Sequence, residues 1–98
     1  MTFVRHYILE TNVADAEALR HLLLDLRDFV TQCPGSERVD LLHAPDRPER
    51  IFFIEHWRGK ADHAAAGSRL PPEIMASLKR LLAAPPAMTD LVDASGAT

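Results

Sequence analysis

Between Arg50 and Trp57 the chain reads Arg-Ile-Phe-Phe-Ile-Glu-His-Trp, a run of β-branched and aromatic residues that is apolar at consecutive positions. Such a run suits a strand. Side chains alternate across a strand, so Ile51 and Phe53 go to one face and Phe52 and Ile54 to the other. Whatever sheet contains this strand must therefore be covered on both sides.

The remaining segments say what could cover it. Phe3 to Leu9 is a second dense β-branched and aromatic stretch, followed by the polar Glu10-Thr11-Asn12. Asn12 can cap a helix, and Asp15 and Glu17 place negative charge where first-turn N–H groups are unpaired. The helix predicted from there runs to about Cys33. Leu19, Leu22, Leu23, Leu26, Phe29, Val30 and Cys33 fall at steps of three and four and form one apolar stripe, with Arg20, His21, Asp25, Arg27 and Asp28 off it. Pro34-Gly35 ends the helix.

Ser36 to His43 reads as a strand, and Ala44 to Glu49 has the Pro and Asp content of a turn, so it pairs with the 50–57 run as an antiparallel hairpin. Lys60 to Ala66 is Ala-rich and favours a helix, which Gly67 and Leu70-Pro71-Pro72 interrupt. Pro72 suits a first helical position, and Ile74, Met75, Leu78, Leu81 and Leu82 form a further stripe ending at Pro85-Pro86. One broken second helix is thus predicted, and Met88 to Ala94 is a weak last strand. The order β-α-β-β-α-β is the ferredoxin-like α+β plan, an antiparallel sheet with helices on one face. Its open face is expected to pack on the same face of a second copy.

Composition narrows the function classes. The 98 residues are 47% apolar and 26% charged, which fits one domain over 1–94 and leaves no room for another. The end of the small, polar Asp93–Thr98 segment, residues 95–98, is expected to fray. A net charge of -3 without a block of like charge gives no footprint for nucleic acid or anionic lipid. No stretch approaches the roughly 18 apolar residues of a membrane span, and the N-terminus lacks a signal-peptide pattern, so a cytoplasmic protein is expected. Cys33 is the single cysteine; it has no disulfide partner and no zinc pattern, and no metal is expected.

The element order, Cys33-Pro34-Gly35-Ser36 at the end of the first helix, and Ile51-Phe52-Phe53-Ile54-Glu55-His56-Trp57 with its Glu-x-Trp ending resemble the antibiotic biosynthesis monooxygenase family. The resemblance covers about residues 3–93. It implies a dimeric α/β barrel, a homodimer joined through its sheet faces, with a pocket in each subunit between sheet and helices. Relatives include cofactor-free oxygenases of electron-rich phenols or quinols, and haem-degrading enzymes. The haem branch places Asn on the first strand and His on the second helix; Tyr7 stands at the former position and no histidine matches the latter. Other relatives carry His in the segment here occupied by Ala66 to Pro71, for which His63 is the nearest substitute.

Oxygenation without a cofactor needs a flat apolar slot, a base to ionise an aromatic substrate, and exclusion of water. The candidate catalytic residues are Tyr7, as a hydroxyl donor to a phenolate or carbonyl oxygen, and Glu55 and His63 as acid–base groups. Trp57 is both core anchor and ligand platform. Arg5, able to pair with Glu55, joins Phe29, Phe53 and Met75 as a substrate-binding candidate, though each of the last three also suits a core position. His21 and His43 read as surface residues. His6 and His56 neighbour Tyr7 and Trp57 on their strands and must face the opposite way. A cofactor-independent monooxygenase for an aromatic, quinol-like molecule is the leading expectation; a non-catalytic barrel that binds a small hydrophobic metabolite is the alternative.

Overall fold

A computed structural model of the chain describes residues 2–95. The elements are β1 (Phe3–Glu10), α1 (Ala16–Thr31), β2 (Ser36–Leu42), β3 (Arg50–Trp57), α2 (Lys60–Gly67), α3 (Pro72–Leu81) and β4 (Ala87–Val92). The strands form one antiparallel sheet in the order β2-β3-β1-β4, the ferredoxin-like arrangement. The two strands richest in aromatic and β-branched residues take its centre, where both edges are paired.

Register decides what each face carries. Phe3 lies opposite Trp57, Arg5 opposite Glu55 and Tyr7 opposite Phe53, so these residues share the inner, helix-covered face. Leu19 and Leu23 of α1 are fully buried there, against Ile51, Phe53 and Trp57. On the outer face lie Val4, Ile8, Phe52 and Ile54, with Leu42 and Leu91 exposed. His6 and His56 point to this outer face, and His21 and His43 are exposed, as expected.

Several boundaries differ from the sequence prediction. Asn12 makes no side-chain capping bond; Val13–Asp15 forms a single 3-10 turn, and α1 begins only at Ala16. At the other end α1 stops at Thr31, before Cys33, which is buried beyond it with its thiol on the Phe29 carbonyl. The broken second helix resolves into α2 and α3, because Pro71 has extended ψ and supplies no N–H to carry α2 onward. The last strand runs Ala87–Val92 rather than Met88–Ala94, and β2 ends one residue early, at Leu42. Of the tail expected to fray, Ser95 bonds back to Asp93, and the rest lies outside the described residues.

Two local devices hold the helices over the sheet. Gly35 has φ +86°, and a Cβ there would overlap the Asp62 side chain. Asp62 in turn accepts from Arg58, whose own N–H donates to the Gly35 carbonyl at 2.7 Å. The turn after α1 and the first turn of α2 are thereby packed into one unit. At the far end the buried Thr11 hydroxyl donates to the Leu81 carbonyl, and the Ala83 N–H donates to the Glu10 carbonyl at 2.9 Å. These bonds tie the end of α3 to the end of β1 and satisfy groups that a helix terminus leaves open.

Candidate active site

Between the inner sheet face and the helices lies a cavity of about 260 Å³. Its wall is overwhelmingly apolar, with Leu23, Leu26, Phe29 and Val30 from α1, Phe53 from β3 and Leu78 from α3. The polar groups gather at one end, where Tyr7, Glu55, Trp57 and His63 meet.

Each of these four is placed by a different feature of the fold. Glu55 and Trp57 are two residues apart on β3 and so project side by side, and the Trp57 indole N–H donates to Glu55 Oε1 at 3.0 Å. Tyr7 comes from the neighbouring strand, its ring meeting Phe53 edge-on at 6.4 Å. His63 is carried in by the first turns of α2, which the Gly35–Asp62–Arg58 contacts anchor. Its ring stands nearly perpendicular to Trp57, 5.7 Å between centroids. His63 Nε2 lies 3.4 Å from Tyr7 Oη and 3.6 Å from Glu55 Oε1.

Burial governs the proton affinities. Glu55 is 5% exposed, and desolvation raises its pKa, against the indole hydrogen bond and the charge of Arg5, which both lower it. Burial lowers the pKa of His63, and Arg5 lowers it further. Burial and the nearby Glu55 charge raise Tyr7, while Arg5 opposes them. The directions at Glu55 and His63 both work against a carboxylate–imidazolium pair. A neutral imidazole therefore sits beside a carboxyl that holds its proton more tightly than usual. With its own proton on Nδ1, His63 Nε2 is free to accept one from Tyr7 or from a ligand hydroxyl.

The structure brings seven of the eight candidate residues to this cavity: Tyr7, Glu55, His63, Trp57, Phe29, Phe53 and Met75. Arg5 stands just outside it. The expected Arg5–Glu55 ion pair is absent: Arg5 Nε lies 2.5 Å from Asp90 Oδ1 instead. Arg5 faces both carboxylates across the sheet, Glu55 on β3 and Asp90 on β4, and the Glu55 carboxyl is turned along its strand onto Trp57. Lining residues that sequence reasoning did not single out include Leu9, Ala66, Leu70, Pro86 and Met88. Pro86 precedes and Met88 lies in a short strand whose side chains are all exposed in the single chain, so no burial pattern marked them. Among the described residues, no three of His, Cys, Asp and Glu come together to hold a metal ion.

Fold and site together define a ferredoxin-like α+β domain built around a small apolar pocket with titratable groups at one end. No family model matches the chain, and no curated protein matches it in sequence. Solved structures do resemble it. A structure from Nitrosomonas europaea, provisionally named antibiotic biosynthesis monooxygenase, superposes with a TM-score of 0.86 at 18% identity, over 94% of this chain and 98% of that one. Rv0793 from Mycobacterium tuberculosis gives 0.86 at 20% identity over the whole of both chains. A structure from Chloroflexus aurantiacus with the same provisional name as the first gives 0.80 at 21% identity, covering 100% and 98%. The fold is thus that of the antibiotic biosynthesis monooxygenase structures, the family that the sequence resembles. Among the described residues, no helix is long and apolar enough to cross a membrane.

Proposed function

We propose that the chain is a member of the antibiotic biosynthesis monooxygenase family. On this reading, one domain over residues 1–94 oxygenates a one- or two-ring aromatic hydroxyl compound without a cofactor. The observation that carries this is the convergence of Tyr7, His63 and Glu55 at one end of an otherwise apolar cavity, with His63 Nε2 3.4 Å from Tyr7 Oη. A volume of 260 Å³ is at the small end for ligand sites, commonly about 300–1,000 Å³, which favours few rings. The name monooxygenase, carried by structures of the same fold, supports oxygen chemistry.

In the proposed reaction His63 takes the hydroxyl proton, and Tyr7 donates to the resulting oxyanion. The electron-rich ring carbon bonds to O2, and the peroxide receives the proton back from His63. Loss of the ring C–H proton with cleavage of the O–O bond gives a carbonyl and water. The sum is a phenol plus O2 going to a quinone plus water. All four electrons come from the substrate, so no separate reductant is required. Burial and the Arg5 charge hold the imidazole in its neutral working form, and Glu55, bonded to Trp57, orients the indole platform.

The outer sheet face, with Val4, Ile8, Phe52 and Ile54, is proposed to close on its counterpart in a second subunit, completing a dimeric α/β barrel. A buried, unpaired Cys33 suits a cytoplasmic setting.

The test is oxygen uptake with a panel of dihydroxynaphthalenes and one-ring phenols and quinols, with quinone formation followed in parallel. Stoichiometric uptake that falls about 100-fold or more in His63→Ala, and is weakened in Tyr7→Phe, is expected. No uptake above the His63→Ala background across the panel overturns oxygenation. A compound that is bound and released unchanged in air would instead make the chain a binding protein for a hydrophobic metabolite.

A further inference from the structure

We propose that the aromatic ligand of this pocket bears a carboxylate, which Arg5 and its surroundings hold at the pocket's edge. This deepens the reading above and rests on it.

Arg5 projects from β1 on the same face as Tyr7, and its guanidinium carbon lies 5.9 Å from the Tyr7 ring centroid. Its side chain is only 16% exposed. A guanidinium offers five N–H donors in a planar fork, and its burial stabilises the fold only when oxygen acceptors meet them. Here a single carboxylate, Asp90, faces the fork, and it is shared with a second cation. Nη1 is directed to the Met88 thioether sulfur at 3.7 Å, a weak acceptor. Nε forms an ion pair with Asp90 Oδ1 at 2.5 Å, in a geometry poorly aligned for donation.

The charges around it are also one anion short. Lys60 Nζ lies 3.8 Å from the other oxygen of the same Asp90 carboxylate, so two cations share one acid. Glu55, the remaining carboxyl nearby, is committed to the Trp57 indole and disfavoured as an anion by its burial. Tyr7 and Met88, two of the residues around the Arg5 head, both line the cavity. Met88 is 60% exposed on the edge strand, and its unbranched side chain can swing aside. A carboxylate on the ligand would displace the thioether and give the guanidinium the bidentate oxygen partner that its fork geometry fits. The ring would lie against Trp57 and Phe53, with its hydroxyl toward Tyr7 and His63.

The test uses two ring-matched probes, 2-naphthoate and the neutral 2-naphthamide, titrated calorimetrically into the whole chain at pH 7.5. Naphthoate is expected to bind about tenfold or more tightly than the amide. In Arg5→Met that ratio should fall to near one. In Asp90→Asn, a substitution at a half-exposed edge position, removing the competing carboxylate should widen the ratio. Equal binding of the two probes to the wild type overturns the carboxylate but leaves the aromatic pocket standing, as does a preference that survives Arg5→Met. Binding of neither probe overturns both readings.

Discussion

The Trp57–Glu55 pair allows a quantitative test of how the pocket is held together. Trp57 is 1% and Glu55 5% exposed, and the indole N–H supplies the carboxyl with its one short hydrogen bond. In Trp57→Phe that donor disappears, and His63 at 3.6 Å is too distant to replace it. A hydrogen bond to a charged or partly charged acceptor contributes about 1.5–3 kcal/mol, and the shrunken ring forfeits about 1–2 kcal/mol more. The single variant should therefore lose about 2.5–5 kcal/mol. Glu55→Leu has the opposite defect, leaving the indole N–H buried without an acceptor at a cost of about 1–3 kcal/mol. The double variant has neither orphan and keeps only the ring loss, so its loss should be smaller than the sum of the singles by about 2.5–6 kcal/mol. Urea unfolding followed by far-ultraviolet circular dichroism, at one protein concentration, measures all four corners. Additivity within about 0.5 kcal/mol would refute the coupling.

The same pair carries a pH signature. Burial raises the Glu55 pKa in the folded state, so the folded chain binds more protons than the unfolded one between the two values. The associated stability is fully present below the ordinary value of 4.5 and is lost as pH rises through the folded value. The slope from this one group cannot exceed about 1.4 kcal/mol per pH unit. Removing the indole takes away a contact that lowers this pKa. The Trp57→Phe deficit should therefore be larger at pH 8 than near pH 4.5.

Three further outcomes are expected. His63 has its pKa lowered by burial, so its stability contribution is present above the ordinary value of 6.5 and is lost as pH falls through the folded value; thermal melts of His63→Gln should lack that decline, and an unchanged profile would count against the buried placement. Gly35→Ala forces a Cβ into a left-handed turn and onto Asp62, so chemical denaturation should show a loss of about 2 kcal/mol or more, and a neutral result would exclude the packed turn. Ile54→Lys places a charge in the middle of the outer sheet face; light scattering is expected to report the mass of a dimer for the wild type and of a monomer for the variant, and equal masses would remove that face as the contact.

Much of this architecture is written locally. The α1 stripe from Leu19 to Val30 needs only the helical period to be seen, and all its members that the structure buries lie on that stripe or, as with Ala16, one turn before it. Pro34-Gly35 specifies its own turn, because a positive φ is natural for glycine and Pro34 disfavours further helix. The run 50–57 alternates in burial along its whole length even though its sequence is apolar on both sides, so its pattern announced a strand with two faces to cover.

The pocket itself depends on contacts between distant segments. The β1 sequence Phe-Val-Arg-His-Tyr-Ile-Leu has no clean alternation, and only its pairing with β3 places Tyr7 and Arg5 on the helix side and His6 on the other. Asn12 illustrates the limit of a local signal: its residue type suits a cap, yet the chain takes a 3-10 turn there and the helix starts later. Arg5 likewise found Asp90 rather than Glu55, because β4 supplied a carboxylate from the other side. Short-range patterns thus determine which segments are helix or strand, since those follow from side-chain period and backbone freedom. The meeting of Tyr7, Glu55, Trp57 and His63 was decided by tertiary structure, since strand register and the seating of α2 on the Gly35 turn place side chains from three separate segments within contact of one another.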